Sequence, residues 1–259
     1  MYIIYKYQGG YAMSKYAIVT GGARGLGEGI ARKLGSMGYN VVINYVSDRS
    51  REKAEKVIED IKSEYGVDAF AVQADVSVYD QAKKLVDESV EKFGGEIAVL
   101  INNAGIENGI RFIDLKPEQY ERLIDVNLNS YMHCSHIVIP YMIKAGGGCI
   151  VNTASVGGQM GVLNQVDYCA AKSGVIGLTR GLAMEYAADH IRVNAVAPGM
   201  IWTDMLREVD QDAVEALKQS VPLKEIGEVE DIAQAVAYLV EAKYVTGQTL
   251  GPNGGLLMP

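Results

Sequence analysis

Thr20-Gly21-Gly22-Ala23-Arg24-Gly25-Leu26-Gly27 follows a short apolar run, Tyr16 to Thr20, and leads into a helical pattern from Gly27 to Met37. Glycines at a strand-to-helix junction permit a tight turn. They also let backbone N–H groups approach an anionic pyrophosphate at the helix N-terminus, where the macrodipole favours negative charge. A glycine-rich turn alone also suits a plain strand-to-helix connection. What decides between the two is the pattern around it.

Working outward, short runs rich in β-branched residues alternate with longer helical stretches. The strand candidates are Tyr16 to Thr20, Asn40 to Asn44, Ala69 to Gln73, Ala98 to Asn102, Gly148 to Thr153, Arg192 to Ala197 and Gln248 to Leu250. Helical patterns cover Gly27 to Met37, Arg49 to Glu64, Tyr79 to Phe93, Glu118 to Lys144, Asp167 to Ala188 and Glu230 to Leu239. This alternation marks repeated βαβ units, whose crossovers are right-handed. The prediction is α/β: a doubly wound, Rossmann-type parallel sheet of seven strands in the order 3-2-1-4-5-6-7, with helices on both faces. Residues 15–259 form one domain, and 1–14, which precede or include a second methionine at Met13, read as a dispensable extension.

The chain has 259 residues, 49% of them hydrophobic, enough to bury one large core. A net charge of -8 opposes a partner held by its phosphate backbone, so nucleic acid is excluded. The longest apolar runs fall well short of the roughly 20 residues that span a bilayer, so no membrane partner is expected. Three cysteines, Cys134, Cys149 and Cys169, form no even-numbered framework, and a reducing cytoplasm is the expected setting.

Two further turns carry chemistry. Asp75-Val76 follows the third strand, where a short carboxylate either hydrogen-bonds an adenine amino group or caps the next turn. Asn102-Asn103-Ala104-Gly105 follows the fourth, and its small residues leave room for a nucleotide ribose against the backbone. With Thr20, Gly21, Gly25 and Gly27, these segments resemble the short-chain dehydrogenase/reductase family from about Lys15 to the C-terminus. The resemblance implies hydride transfer between nicotinamide and a carbonyl compound or secondary alcohol.

It also implies a catalytic tetrad of Asn127, Ser155, Tyr168 and Lys172. The Y-x-x-x-K spacing occurs four times here, at Tyr2/Lys6, Tyr11/Lys15, Tyr79/Lys83 and Tyr168/Lys172. Only the last pair has a serine thirteen residues upstream at the end of a predicted strand, as the family requires. Tyr168 is then the acid/base. A lysine ammonium about 4 Å from the phenol favours phenolate by about 4 kcal/mol at an effective dielectric near 20, or roughly three pKa units. Ser155 holds the substrate oxygen and Lys172 the nicotinamide ribose, while Asn127 positions a relay water. Pro198, Gly199, Ile201 and Thr203 match the family segment that closes over nicotinamide.

For the cofactor, the end of the second strand reads Asn44-Tyr45-Val46-Ser47, with no carboxylate where an NAD-preferring enzyme places one, while Arg24 suits a 2'-phosphate. NADP(H) is favoured and NAD(H) is the alternative. The cofactor contacts expected are Thr20, Gly21, Gly22, Ala23, Arg24, Gly25, Leu26, Gly27, Tyr45, Asp75, Val76, Asn103, Ala104, Gly105, Tyr168, Lys172, Pro198, Gly199, Ile201 and Thr203. His133 and His136 lack a matching ligand set, so no metal is expected. Cys169 lacks an activating histidine.

Substrate walls fall in Gly157 to Val166, in Asn108 to Phe112 and in a lid from Met200 with Trp202, Met205 and Leu206. Their apolar side chains suit a small or hydrophobic carbonyl such as a sugar or steroid. The alternative is a 3-oxoacyl-carrier-protein reductase, which the chain resembles in Val41 to Tyr45 and Val245 to Gln248. Against it, Gly146 and Met184 stand where the notional carrier-docking arginines would be. A cofactor-binding relative without activity is the remaining alternative. Family members commonly form homotetramers, and one is expected here.

Overall fold

The computed structural model describes residues 15–203 and 211–258. The extension 1–14 and the lid residues Met205 and Leu206 lie outside the described residues. Seven strands, β1 (Tyr16–Val19), β2 (Asn40–Tyr45), β3 (Ala69–Gln73), β4 (Ile97–Asn102), β5 (Gly148–Thr153), β6 (Ile191–Val196) and β7 (Thr249–Leu250), form one sheet. Their order is β3-β2-β1-β4-β5-β6-β7, with every neighbouring pair parallel. This is the order predicted.

Side chains alternate across the sheet, and both faces are buried, which is why the strands read as continuous apolar runs. Ala17, Val19, Val41, Ile43, Val99 and Ile101 pack against α1 (Gly25–Ser36), α2 (Arg51–Tyr65) and a helix near the C-terminus, Val229–Glu241. Tyr16, Ile18, Val42, Val72, Leu100 and Ile150 face the other way, against α3 (Tyr79–Phe93) and the helices after β4 and β5. Buried polar side chains lock the centre. Asn102 Nδ2 donates to Ser135 Oγ (3.1 Å) and Asn152 Oδ1 (2.9 Å), and Asn152 Nδ2 donates to Thr179 Oγ1 (2.9 Å).

Two elements differ from expectation. The stretch read as one helix, Glu118 to Lys144, is α4 (Pro117–Ile124), a π-turn over Asp125–Asn129, and α5 (Ser130–Ala145). A π-turn inserts a residue without breaking the axis, so hydrophobic periodicity does not announce it. A helix not predicted, α7 (Gln211–Ser220), lies between α6 (Val166–Tyr186) and the C-terminal α8 (Val229–Glu241).

The sheet order reverses between β1 and β4, opening a crevice at their C-terminal ends. In open α/β sheets ligands bind at this switch point. The loops after β1, β4 and β5 all end there.

Candidate active site

The glycine turn leaves β1 through Thr20 and enters α1 at Gly25. Arg24, at the N-cap, is extended and makes no side-chain cap, so it leaves the first amides of α1 to other acceptors. Gly21 and Gly25 adopt left-handed φ values of 64° and 54°, which glycine alone reaches without steric cost. Gly27 is required for space. A Cβ there would stand 2.2 Å from the Gly21 carbonyl oxygen and 2.6 Å from Asn103 Nδ2.

The neighbouring loop holds this turn in shape. Thr20 Oγ1 accepts hydrogen bonds from the amides of Asn103 (2.9 Å) and Ala104 (3.0 Å), and Asn103 Nδ2 donates to Thr20 O (3.0 Å). Asn44, which sequence reasoning passed over, completes the cradle. Its Oδ1 accepts from Gly21 N (3.3 Å) while Nδ2 donates to Ala74 O (2.7 Å), tying the turn to the ends of β2 and β3. An asparagine at the end of a strand, where an apolar residue would continue the core, was the available signal.

The remaining cofactor candidates gather around this cradle with two differences in detail. Tyr45 ends β2, but its ring is buried in the core and its carbonyl accepts from Ala74 N (2.9 Å). The Asp75 carboxylate is already engaged: Oδ1 accepts from the amide and hydroxyl of Ser77 (3.1 and 2.6 Å), and Oδ2 accepts from Arg122 (2.8 Å). Burial raises the Asp75 carboxyl, but the Ser77 and Arg122 donors outweigh it and hold it below its ordinary value. Val76 is buried beside it. Ala23 and Gly22 pack against the sheet, Arg24 is exposed, and Leu26 lies at the edge of the same core.

On the other side of the switch point, Pro198 and Gly199 follow β6. Pro198 O accepts from Val156 N (3.0 Å), and Gly199 N donates to Pro252 O (3.2 Å). Ile201 bridges to Gly227, and Thr203 lies just beyond.

The four catalytic candidates converge on the same crevice. Tyr168 and Lys172 project from one face of the first turns of α6. Lys172 is almost fully buried, and its Nζ donates to Thr153 O (2.7 Å) and Tyr131 Oη (3.2 Å) and lies 5.7 Å from the Tyr168 ring centre. Ser155, just past β5, accepts from Gly157 N (3.0 Å), and its hydroxyl lies near enough to Tyr168 to act on the phenol. Asn127, in the π-turn, is fully buried. It accepts from Ile106 N (2.8 Å) and donates to Ile106 O (2.8 Å). Gly105 lies between them: a Cβ there would stand 3.6 Å from Asn127 Oδ1 and 3.7 Å from Lys172 Nζ. The π-turn therefore gives this asparagine an immediate task, clamping the loop after β4 beside the lysine.

The electrostatics correct one expectation. Pair attraction to Lys172 was expected to make Tyr168 more acidic. Instead burial pushes the Tyr168 phenol up, opposed by the nearby Ser155 hydroxyl and reinforced by Glu107 and Cys169. Burial also pushes Lys172 down to about 7. Counting the Coulomb attraction without the desolvation of both partners misplaced the balance. The phenol therefore rests protonated.

Among the described residues no group of three or more His, Cys, Asp or Glu gathers closely enough to hold a metal. His136 pairs with the Tyr79 hydroxyl (3.0 Å), and His133 faces Val76 O (3.3 Å). Among the same residues no helix is long and apolar enough to cross a membrane. Glu107, another residue given no role from the sequence, accepts from Gln165 Nε2 (3.2 Å) at the mouth of the crevice.

Residues 15–214 match the short chain dehydrogenase family. The chain is 44% identical over 248 residues to a 3-oxoacyl-[acyl-carrier-protein] reductase of Staphylococcus epidermidis, covering 95% of this chain and 100% of that one. It is 39% identical over 248 residues to a 3-oxoacyl-[acyl-carrier-protein] reductase of Synechocystis, covering 95% and 98%. Among solved structures, a blue fluorescent protein from a metagenomic library in complex with NADPH superposes with a TM-score of 0.88 at 33% identity, covering 94% of this chain and 98% of that one. With the glycine cradle and the converging Ser155, Tyr168 and Lys172, these similarities establish that the chain belongs to the short-chain dehydrogenase/reductase family and is an NAD(P)-dependent oxidoreductase acting between carbonyl and alcohol groups.

Proposed function

We propose that the protein reduces the 3-oxo group of an acyl thioester presented on an acyl carrier protein, with NADPH as reductant and Tyr168 as proton donor. The observation that carries this reading is the 44% identity spanning the whole of a reductase named for that substrate. It outweighs the sugar or steroid reading drawn from apolar cleft residues, because lining polarity alone does not distinguish an acyl chain from a steroid. The absence of arginine at Gly146 and Met184 implies that a carrier would dock through other groups. Arg111, exposed beside Phe112 and Ile113 in the loop after β4, offers one such group.

The cradle of Gly21, Gly22, Ala23, Gly25, Leu26 and Gly27, with Thr20 and Asn103 behind it, fits a pyrophosphate, since Gly27 lets α1 start close against the turn while no side chain caps the first amides of that helix. Arg24 is proposed to pair with a 2'-phosphate, which supports NADPH over NADH. The NADPH bound by the structural neighbour supports the same choice. The loop 103–105 and the segment Pro198, Gly199, Ile201 and Thr203 flank the place proposed for nicotinamide and its ribose. Bound there, the nicotinamide supplies the hydride.

The protein's own groups do the rest. Ser155 orients the substrate carbonyl, and the protonated Tyr168 donates its proton to that oxygen as negative charge develops on it. Lys172, held by Thr153 O and Tyr131, lies where it stabilises the phenolate left behind and passes it a replacement proton. Asn127 fixes the loop that forms the other wall.

Two further parts of the reading concern the whole molecule. Residues from Lys15 onward are proposed to suffice for folding, since the family match begins there. Exposed apolar side chains on α5 (Met132, Ile143) and α6 (Val166, Met184) support assembly into a homotetramer through these helices.

The test is NADPH oxidation followed at 340 nm with acetoacetyl-carrier protein and an acetoacetyl thioester, beside glucose or a hydroxysteroid with NADP. Turnover of the thioesters at least a hundredfold above the other substrates is the expected result. Preferential turnover of glucose or the steroid would overturn the acyl reading, and tight NADPH binding without turnover of anything would favour a non-catalytic relative.

A further inference from the structure

The loop after β4 carries a charge that the reaction itself does not need. Glu107 lies two residues beyond Gly105, and both of its neighbours are pinned. Ile106 is held at N and O by Asn127, each at 2.8 Å. Asn108 Nδ2 donates to the buried carboxylate of Asp167 (2.7 Å). The Glu107 carboxylate in turn accepts from Gln165 (3.2 Å), three residues before Tyr168 and immediately ahead of α6.

These contacts fasten the loop after β4 to the start of the helix that bears the catalytic phenol. They leave the Glu107 carboxylate exposed at the entrance, within electrostatic reach of Tyr168. Asp167, one residue before Tyr168, adds a second, buried carboxylate whose Oδ1 accepts from the Tyr168 amide (2.9 Å). The cation on the catalytic side, Lys172, is buried behind the phenol rather than at the entrance, and Arg111 is exposed further along the loop.

We infer that Glu107 is a specificity-determining residue that excludes substrates with a negative charge beside the reacting carbonyl, so that the site accepts 3-oxoacyl groups as neutral thioesters and rejects free 3-oxo acids. The inference rests on the acyl reading above and deepens it. A free 3-oxo acid carries its carboxylate two carbons from the carbonyl that must approach Tyr168 and Ser155. That brings like charges together at the entrance of the cleft, whereas a thioester is neutral at the same atoms.

The experiment compares kcat/KM for the neutral acetoacetyl-N-acetylcysteamine thioester and for acetoacetate, both with NADPH, in the full-length wild type, Glu107→Gln and Glu107→Asp. Glu107→Gln keeps the size of an exposed side chain and is expected to raise kcat/KM for acetoacetate about tenfold while changing the thioester value by less than about twofold. Glu107→Asp keeps the charge and is expected to keep the wild-type preference. KM for NADPH is expected to stay constant across all three. An unchanged thioester-to-acid ratio in Glu107→Gln, in a wild type that reduces the thioester, overturns the inference alone, as does equal loss of discrimination in Glu107→Asp. A wild type that reduces neither compound overturns the acyl reading, and the inference with it.

Discussion

Replacing Gly27 by alanine probes the cradle where it is tightest. The added methyl carbon would stand 2.2 Å from the Gly21 carbonyl oxygen, 2.6 Å from Asn103 Nδ2 and 2.9 Å from the Gly21 carbonyl carbon. Two of these are backbone atoms, so no side-chain rotation relieves the clash, and α1 must withdraw from the turn by about 1 Å to restore ordinary contact. Overpacking of this kind costs about 1–3 kcal/mol, which for a domain of this size lowers Tm by roughly 2–12 °C. The same withdrawal takes the first amides of α1 away from the pyrophosphate. A hydrogen bond to a charged group contributes about 1.5–3 kcal/mol, so losing one weakens NADPH binding about 10- to 150-fold. Calorimetric titration with NADPH and thermal unfolding of the free protein measure the two effects separately. Gly95→Ala is the control, because its added carbon meets only Tyr141 Cδ1 at an ordinary 3.7 Å, away from the cradle, and it should change stability by less than about 1 kcal/mol. A Gly27→Ala protein that binds NADPH as tightly as the wild type would refute both the packing argument and the phosphate site.

Three further expectations follow from individual residues. Asn127→Ala removes both bonds to Ile106 and should cost about 1–3 kcal/mol, raising substrate KM more than NADPH KM; equal effects on both would contradict its assignment to the loop. Lys172 falls from 10.5 to about 7, so between those values the unfolded chain holds a proton that the folded one has lost, and stability rises with pH across that window. Lys172→Met, measured without cofactor, should therefore stabilise more at pH 6, where the buried amine is charged, than at pH 10; a difference independent of pH would contradict this. Arg24→Ala should weaken NADPH binding about tenfold and leave NADH binding unchanged, which paired titrations check.

Much of the fold was legible because its signals are local. Strands buried on both faces are apolar throughout, as in Val41 to Ile43 and Leu100 to Ile101, and the turn glycines stand where φ or space requires them. The handedness of the crossovers pointed to a doubly wound sheet, and the order 3-2-1-4-5-6-7 is one that such sheets commonly adopt. The features that escaped depend on distant partners. The π-turn at Asn127 keeps the helical period on both sides and only shifts its phase by one residue, which an already apolar segment conceals. Asn44 stands out as a polar residue at a strand end, but its task appears only once β1, β2 and β3 bring Gly21 and Ala74 to its amide. Glu107 reads as a solvated loop residue until Gln165 arrives from beyond β5. Ser155, Tyr168 and Lys172 were recognisable by their joint spacing, but the acidity of Tyr168 was not, because its sign depends on burial that only the folded chain provides. The helix at Gln211–Ser220 is short, and the helical spacing of Ala213, Val214, Ala216 and Leu217 was a signal that the sequence reading passed over.

The account depends above all on Tyr168 as the group that delivers the proton to the substrate oxygen. Single-turnover reduction of an acetoacetyl thioester by Tyr168→Phe, with NADPH affinity measured on the same protein, tests this most directly. The account predicts NADPH binding within about twofold of the wild type and a hydride-transfer rate reduced by about 10²–10⁴-fold, the range for loss of a general acid. A rate within tenfold of the wild type would contradict it.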